Sequence, residues 1–285
     1  MARRDLGFVV TQSSIPPAPI RLDGVTLRRG GRDVVRDLSG AFAAGSLTAV
    51  AGPNGSGKST LLLALCGLFP IASGRVERSG LDARAIALLP QEGRLDRSFP
   101  ISCRDVVALG CTARIGLFRR IGREQYEVAD RALASVGLDG LGSRPIGALS
   151  AGQFQRVLFA RTIVRDAPVI LLDEPFSAVD ATTEADLMAI VRQWHRQGRT
   201  VVAVLHDVDL IRDEFPRTLL LGADGHVWGD TDDVLTIPAV RQARLRAFVV
   251  PLGEAREASP MGASDGSGQD PGGRSSTHAP AEEAA

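Results

Sequence analysis

From residue 20 to residue 205, short apolar runs alternate with amphipathic stretches. Residues 20–22, 25–27 and 38–42 place apolar side chains at every second position, the period of half-buried strands. Residues 47–51 form a brief apolar run that breaks at Gly52, and 59–68 read as a helix. A strand is expected at 86–89, followed by a mostly helical stretch with helices at 102–109, 124–136 and 151–165. The apolar runs 169–172 and 200–205 flank a helical segment at 182–197, which restores the alternation of a parallel α/β sheet. No internal repeat is evident. The pattern predicts one α/β domain with a helical part at about 92–165.

The ends differ in composition. Residues 1–19 read as a flexible leader that closes on a proline-rich stretch. Residues 253–285 are dominated by Gly, Ser, Ala, Pro and scattered charge, too little apolar surface to offset the entropy of ordering, so disorder is expected there. The longest apolar runs, 61–69 and 201–205, fall far short of the roughly 20 residues that cross a bilayer. The first residues lack the apolar core of a secretory signal.

Across the 285 residues, 44% are hydrophobic and 23% charged, as expected of a protein that buries a core. Basic and acidic residues number 33 each, which gives no net field for nucleic acid, and no nucleic-acid partner is expected. Three cysteines without a CxxC pair suit neither a disulfide framework nor a zinc site, so a reduced cytoplasmic setting is expected.

The chemistry begins at Gly52-Pro53-Asn54-Gly55-Ser56-Gly57-Lys58-Ser59-Thr60, which satisfies G-x-x-x-x-G-K-[ST] between a buried strand and a helix. Glycines let successive N–H groups converge on phosphate oxygens at the positive helix end. Lys58 would supply charge to the β- and γ-phosphates, and Ser59 a hydroxyl for Mg²⁺. Lys58 is also the only lysine in the chain; every other basic residue is arginine. A nucleoside triphosphate site is expected. Its second half is the apolar run 169–172 ending in Asp173-Glu174, which such a sheet brings beside the phosphate loop. Asp173 would order Mg²⁺ through water, and Glu174 would polarise the attacking water.

At this point the chain resembles the ATP-binding cassette (ABC) ATPases over roughly residues 20–245. Leu149-Ser150-Ala151-Gly152-Gln153, just before a helix, is similar to the family's LSGGQ signature, with donors for a γ-phosphate from Ser150 and Gly152. The resemblance implies a RecA-like parallel sheet core with an antiparallel β subdomain and an α-helical subdomain. It also implies a homodimer in which two chains sandwich two ATP molecules, each signature facing the other chain's phosphate loop. Gln91 matches the Q-loop glutamine, a ligand of Mg²⁺ or water that couples to the transporter. Ser177-Ala178-Val179-Asp180 resembles the D-loop at the dimer interface, and His206 the switch histidine that contacts γ-phosphate and positions Glu174. His195, His226 and His278 have no such support and read as surface residues.

Two departures stand out. Arg28 and Arg29 occupy the place before Gly30-Gly31 where the family usually has an aromatic residue for adenine; an arginine plane can also stack on a base. Ala151 replaces the first signature glycine, which a negative φ would tolerate.

One cassette without coiled-coil insertions or membrane spans resembles a separate ATPase subunit of a transporter. Phe99-Pro100-Ile101, Asp105-Val106-Val107 and residues 116–120 are similar to the manganese/zinc/iron importers. The implied partners are integral-membrane permease subunits and an extracytoplasmic substrate-binding protein, and the implied location is the cytoplasmic face of the cell membrane. An iron-siderophore or haem importer, an exporter motor and a soluble ATP-dependent regulator remain as alternatives.

Overall fold

The structure, a computed structural model, describes residues 19–78, 80–82, 85–91, 96–116, 119–177, 179–222 and 225–236. The expected leader up to residue 18, the tail from 253, the domain end at 245, His278, Leu117, Phe118 and Ala178 lie outside these residues.

The chain opens with a hairpin of β1 (Ile20–Arg29) and β2 (Arg32–Phe42), then runs through β3 (Leu47–Ala51) into α1 (Lys58–Leu65). β4 (Ser73–Arg78) returns to β1, and the three strands form an antiparallel sheet ordered β2-β1-β4. β5 (Ile86–Leu89) precedes a helical layer of α2 (Cys103–Ala108), α3 (Thr112–Ile115), α4 (Arg123–Ser135) and α5 (Ala151–Arg165). The chain then passes through β6 (Val169–Asp173), α6 (Ala181–Arg196), β7 (Thr200–Val204) and α7 (Val208–Glu214). β8 (Arg217–Leu221), β9 (His226–Asp230) and α8 (Thr231–Val234) follow. The second sheet is ordered β5-β6-β7-β3-β8-β9 and is parallel except for β8–β9.

This sheet is buried on both faces, as parallel sheets generally are. Val50, Leu171, Val202 and Val204 pack toward Leu61, Leu62, Leu65 and Phe42, joining the core of α1 and the antiparallel sheet. Their strand neighbours Ala49, Leu172 and Ala203 face the opposite way, onto Phe159, Leu187 and Trp194 of α5 and α6. Phe159 and Trp194 stack with ring centroids 5.8 Å apart. Each fully buried side chain of this size contributes about 1.5–3 kcal/mol, so both layers hold the strand ends rigidly, and the site is built on those ends.

Helix starts follow local chemistry. Ser102 caps α2 by accepting from Asp105 N–H, and Asp207 caps α7 by accepting from the N–H groups of Asp209 and Leu210. α1 starts at Lys58 and stops at Leu65, shorter than expected, because Gly67 at φ +76° turns the chain so that its N–H and that of Leu68 close back on the carbonyls of Ala64 and Leu63; the Arg78 guanidinium adds bonds to the carbonyls of Ala64 and Leu65. β4, β8, β9, α7 and α8 were not expected from the pattern. His226 is half-buried in β9 rather than a surface residue, and burial lowers its pKa.

Candidate functional site

β3 delivers the chain into residues 52–57, and two close approaches fix the loop's shape. Gly52 has φ +145°, and a Cβ there would lie 2.2 Å from the Leu221 carbonyl at the end of β8. Gly57 has φ +90°, and its Cβ would lie 2.7 Å from Val35 Cγ2 and 2.8 Å from the Val34 carbonyl of β2. No other residue fits either position without displacing backbone. The loop is therefore held between both sheets, beside a cavity of about 310 Å³ whose wall includes Asn54, Gly55, Lys58, Ser59, Thr60 and Glu174.

Lys58 is 6% exposed, and its Nζ donates to the carbonyls of Gly52 and Pro53 at 2.8 and 2.9 Å. Burial lowers its pKa, partly opposed by the carboxylates of Glu174 and Asp173. Among the described residues Ser56 Oγ is buried without a hydrogen-bond partner, a costly arrangement that a phosphate oxygen at this loop would relieve. Ser59 Oγ donates to Asp173 Oδ1 at 2.8 Å across the sheet. Hard oxygen donors of this kind suit Mg²⁺, which keeps phosphate and water among its ligands. Among the described residues no cluster of three or more His, Cys, Asp or Glu side chains could hold a metal unaided. The residues present thus fit a nucleoside triphosphate with its magnesium.

Glu174 follows β6 in the left-handed region, φ +52°, a conformation that costs a non-glycine residue about 1–3 kcal/mol. Its surroundings hold it there. Ser177 donates to the Glu174 carbonyl from both N–H and Oγ, at 3.3 and 3.0 Å. Gln155 Nε2 donates to the Pro175 carbonyl at 2.7 Å. The carboxylate accepts from Gln91 Nε2 at 2.7 Å on Oε2, and His206 Nε2 lies 3.0 Å from Oε1. Lys58, Ser59, Gln91, Asp173, Glu174 and His206 are thereby brought together.

Other expected residues stand elsewhere. Ser150 caps α5: its Oγ accepts from Gln153 N–H at 3.2 Å, and Gln153 Oε1 accepts from Ser150 N–H at 3.1 Å. A Cβ at Gly152 would meet nothing closer than 3.9 Å, and Ala151 is absent from the positive-φ residues, so its methyl is accommodated. Ser150, Gly152 and Gln153 do not line the cavity of their own chain. Asp180 also lies outside it, capping α6 by accepting from Thr183 N–H and Thr183 Oγ1, both at 2.9 Å, which lowers its pKa.

Two contributors went unnoticed in the sequence. Gln155 is fully buried, and a polar residue on an apolar helix face was its available signal. Arg97 reaches from the segment after Gln91 to the Leu149 carbonyl, and its guanidinium sits 4.9 Å over the Phe154 ring. Gln155→Leu keeps the volume but drops the bond to Pro175, freeing the strained turn at Glu174. We expect turnover to fall about tenfold, the value of roughly 1.4 kcal/mol, with ATP affinity little changed; steady-state kinetics beside equilibrium binding checks this.

Comparison with known proteins agrees with this geometry. The ABC transporter family profile matches residues 35–177. The manganese transport system ATP-binding protein MntB of Bacillus subtilis is 40% identical over 223 residues, covering 77% of this chain and 89% of that protein. The zinc transport system ATP-binding protein TroB of Treponema pallidum is 35% identical over 241 residues, covering 82% and 91%. Among solved structures, an inward-facing transporter described as metal-chelate type superposes with a TM-score of 0.70 at 29% identity, covering 79% of this chain and 88% of that one. On this similarity the chain belongs to the ABC transporter family and is one of its ATP-hydrolysing cassettes.

Proposed function

We propose that the chain powers import of a divalent metal ion, with manganese and zinc ahead of ferrous iron. The observation that carries this is the 40% and 35% identity to manganese and zinc transport system ATP-binding proteins over about three quarters of the chain or more. Metal-chelate import is the second reading, supported by the 29% identity to the metal-chelate type transporter. No described helix is long and apolar enough to cross a membrane, so permease subunits would supply the path and an extracytoplasmic binding protein the metal. The cassette would act from the cytoplasmic face.

In this reading the backbone of residues 52–57, Ser56 and Lys58 bind the β- and γ-phosphates. Mg²⁺, held by Ser59, by Asp173 through water and by Gln91, would neutralise phosphate charge. Glu174 takes the proton of the attacking water as it forms its bond to the γ-phosphorus and ADP leaves. His206 holds the Glu174 carboxylate in line, and Gln91, hydrogen-bonded to the same carboxylate, links the site to the segment that carries Arg97. Ser150, Gly152 and Gln153 present their helix end to the γ-phosphate bound by a second copy, with Asp180 at the same interface. Two copies therefore form two sites.

Ser150→Arg follows as a test of that division. It lies outside its own chain's cavity, so ATP binding by one chain is expected to stay within about twofold of wild type. Turnover should fall at least about a hundredfold, the size of losing a transition-state donor. Equilibrium binding and phosphate release measured on the same preparation distinguish the two. The transport reading is tested by short-term uptake of labelled manganese, zinc and ferrous iron in cells with and without the chain. Loss of uptake of one metal, restored by wild type alone, is expected; unchanged uptake of all three contradicts it.

A further inference from the structure

The cavity beside the phosphate loop has a second wall, formed by Arg29, Arg32 and Val34, and no aromatic residue is among its described lining. Gly30 and Gly31, at φ +55° and +77°, close β1–β2 in the tight two-residue turn that such angles permit. The turn sets Arg29 opposite Arg32, and Arg28 opposite Asp33. Opposed residues share a face of the hairpin, and successive residues alternate between faces. Arg28 is engaged on the far face, its Nε 2.7 Å from Asp33 Oδ1. Arg29, Arg32 and Val34 share the face that lines the cavity. β2 presses on the phosphate loop at Gly57, where a Cβ would lie 2.8 Å from the Val34 carbonyl. With the loop, Lys58 and Ser59 taking the triphosphate and its magnesium, this hairpin face is what remains for the base.

Like charges directly opposed across a hairpin cost stability. Neither Arg29 nor Arg32 makes an ion pair or side-chain hydrogen bond among the described residues. The fold gains nothing from the pair, but a purine does. A guanidinium plane stacks on its face, and guanidinium N–H groups match two neighbouring acceptors on its edge. Guanine offers O6 and N7, both acceptors, whereas adenine offers N7 beside the N6 amino donor, which an arginine cannot pair with.

We propose that Arg29 and Arg32 form the nucleobase subsite and that this subsite favours guanine over adenine, so that the cassette takes GTP as well as ATP. The proposal rests on the ATPase reading above and adds which base edge the site prefers.

The test is displacement of a fluorescent ATP analogue from the full chain, with Mg²⁺ present, by ATP, GTP, ITP and 7-deaza-GTP. ITP keeps O6 and N7 without the 2-amino group, and 7-deaza-GTP lacks N7. GTP and ITP should displace the probe at concentrations at least about threefold lower than ATP, and 7-deaza-GTP should lose that advantage. In the doubly substituted Arg29→Met, Arg32→Met chain all four should weaken and converge, while the nucleotide-free chain unfolds no earlier than wild type, since neither side chain makes an ion pair or side-chain hydrogen bond among the described residues. A GTP advantage smaller than that, ATP ahead of GTP, or a preference that survives the double substitution overturns the proposal. Displacement by none of the four would overturn the nucleotide site itself, and this subsite with it.

Discussion

Glu174→Gln is expected to stop ATP hydrolysis while leaving ATP binding intact. The amide keeps the shape of the carboxylate and can still bond His206, which lies 3.0 Å from Oε1, but it cannot take up a proton from water. General-base catalysis is worth about 10²–10⁴ in rate, and phosphate release should fall by that order. ATP affinity should stay within about threefold, because the phosphates are bound by the loop and Lys58 rather than by this side chain. Titration calorimetry beside a phosphate-release assay reads both quantities. Turnover reduced only a few-fold would remove Glu174 from the role of base. His206→Ala should share the direction with a smaller loss, since it removes the carboxylate's orientation and not its proton affinity.

The second large effect is expected at Lys58. The ammonium is nearly buried and folded onto the carbonyls of Gly52 and Pro53, the two loop residues that begin the phosphate turn. Removing a charge-assisted bond costs about 1.5–3 kcal/mol, so Lys58→Ala should raise the ATP dissociation constant roughly tenfold to a hundredfold. A Kd within about twofold of wild type would contradict the assignment. The lone lysine also offers a chemical test. Burial lowers its pKa, so the neutral amine appears at lower pH than on an ordinary lysine. Acylation of Lys58 should therefore begin at lower pH than acylation of a free lysine amine. Bound triphosphate favours the charged form, shifts that onset upward and protects the residue. Peptide mapping of acylated Lys58 with and without ATP measures this directly. An onset like that of an exposed lysine, unaffected by ATP, would contradict it.

Much of this was legible in the residues because the signals are local. Gly52 to Thr60 declares itself through spacing, since only glycine survives at Gly52 and Gly57, where backbone from β8 and β2 closes to within 3 Å of a Cβ. The strands at β3, β5, β6 and β7 are buried on both faces, and continuous apolar runs betray them. β4, with the sequence SGRVER, carries no such run, because it lies at the edge of the antiparallel sheet, its first three residues exposed and Val76, Glu77 and Arg78 half-buried. β9 was hidden for a similar reason: Trp228 packs edge-on against Phe42, centroids 4.9 Å apart, a contact between sheets that no periodicity encodes.

Within the site, Gln91, Glu174 and His206 come from three separate strand ends, and only the family resemblance joined them. Gln155 and Arg97 escaped because each acts through a distant backbone carbonyl. Asp180 and Ser150 show the reverse. Their sequence setting reads equally as a helix cap, and within one chain capping is what they do; any role toward nucleotide needs a second copy.

Dependence on a second copy can be read from the mass of the chain in solution. The Glu174→Gln chain of 285 residues is sedimented to equilibrium with and without saturating MgATP, with bound nucleotide counted. A monomer is expected that doubles in mass on ATP addition and holds two nucleotides per pair, and that stays single when Ser150→Arg is added. A chain that binds one ATP and remains a monomer at saturation would contradict it.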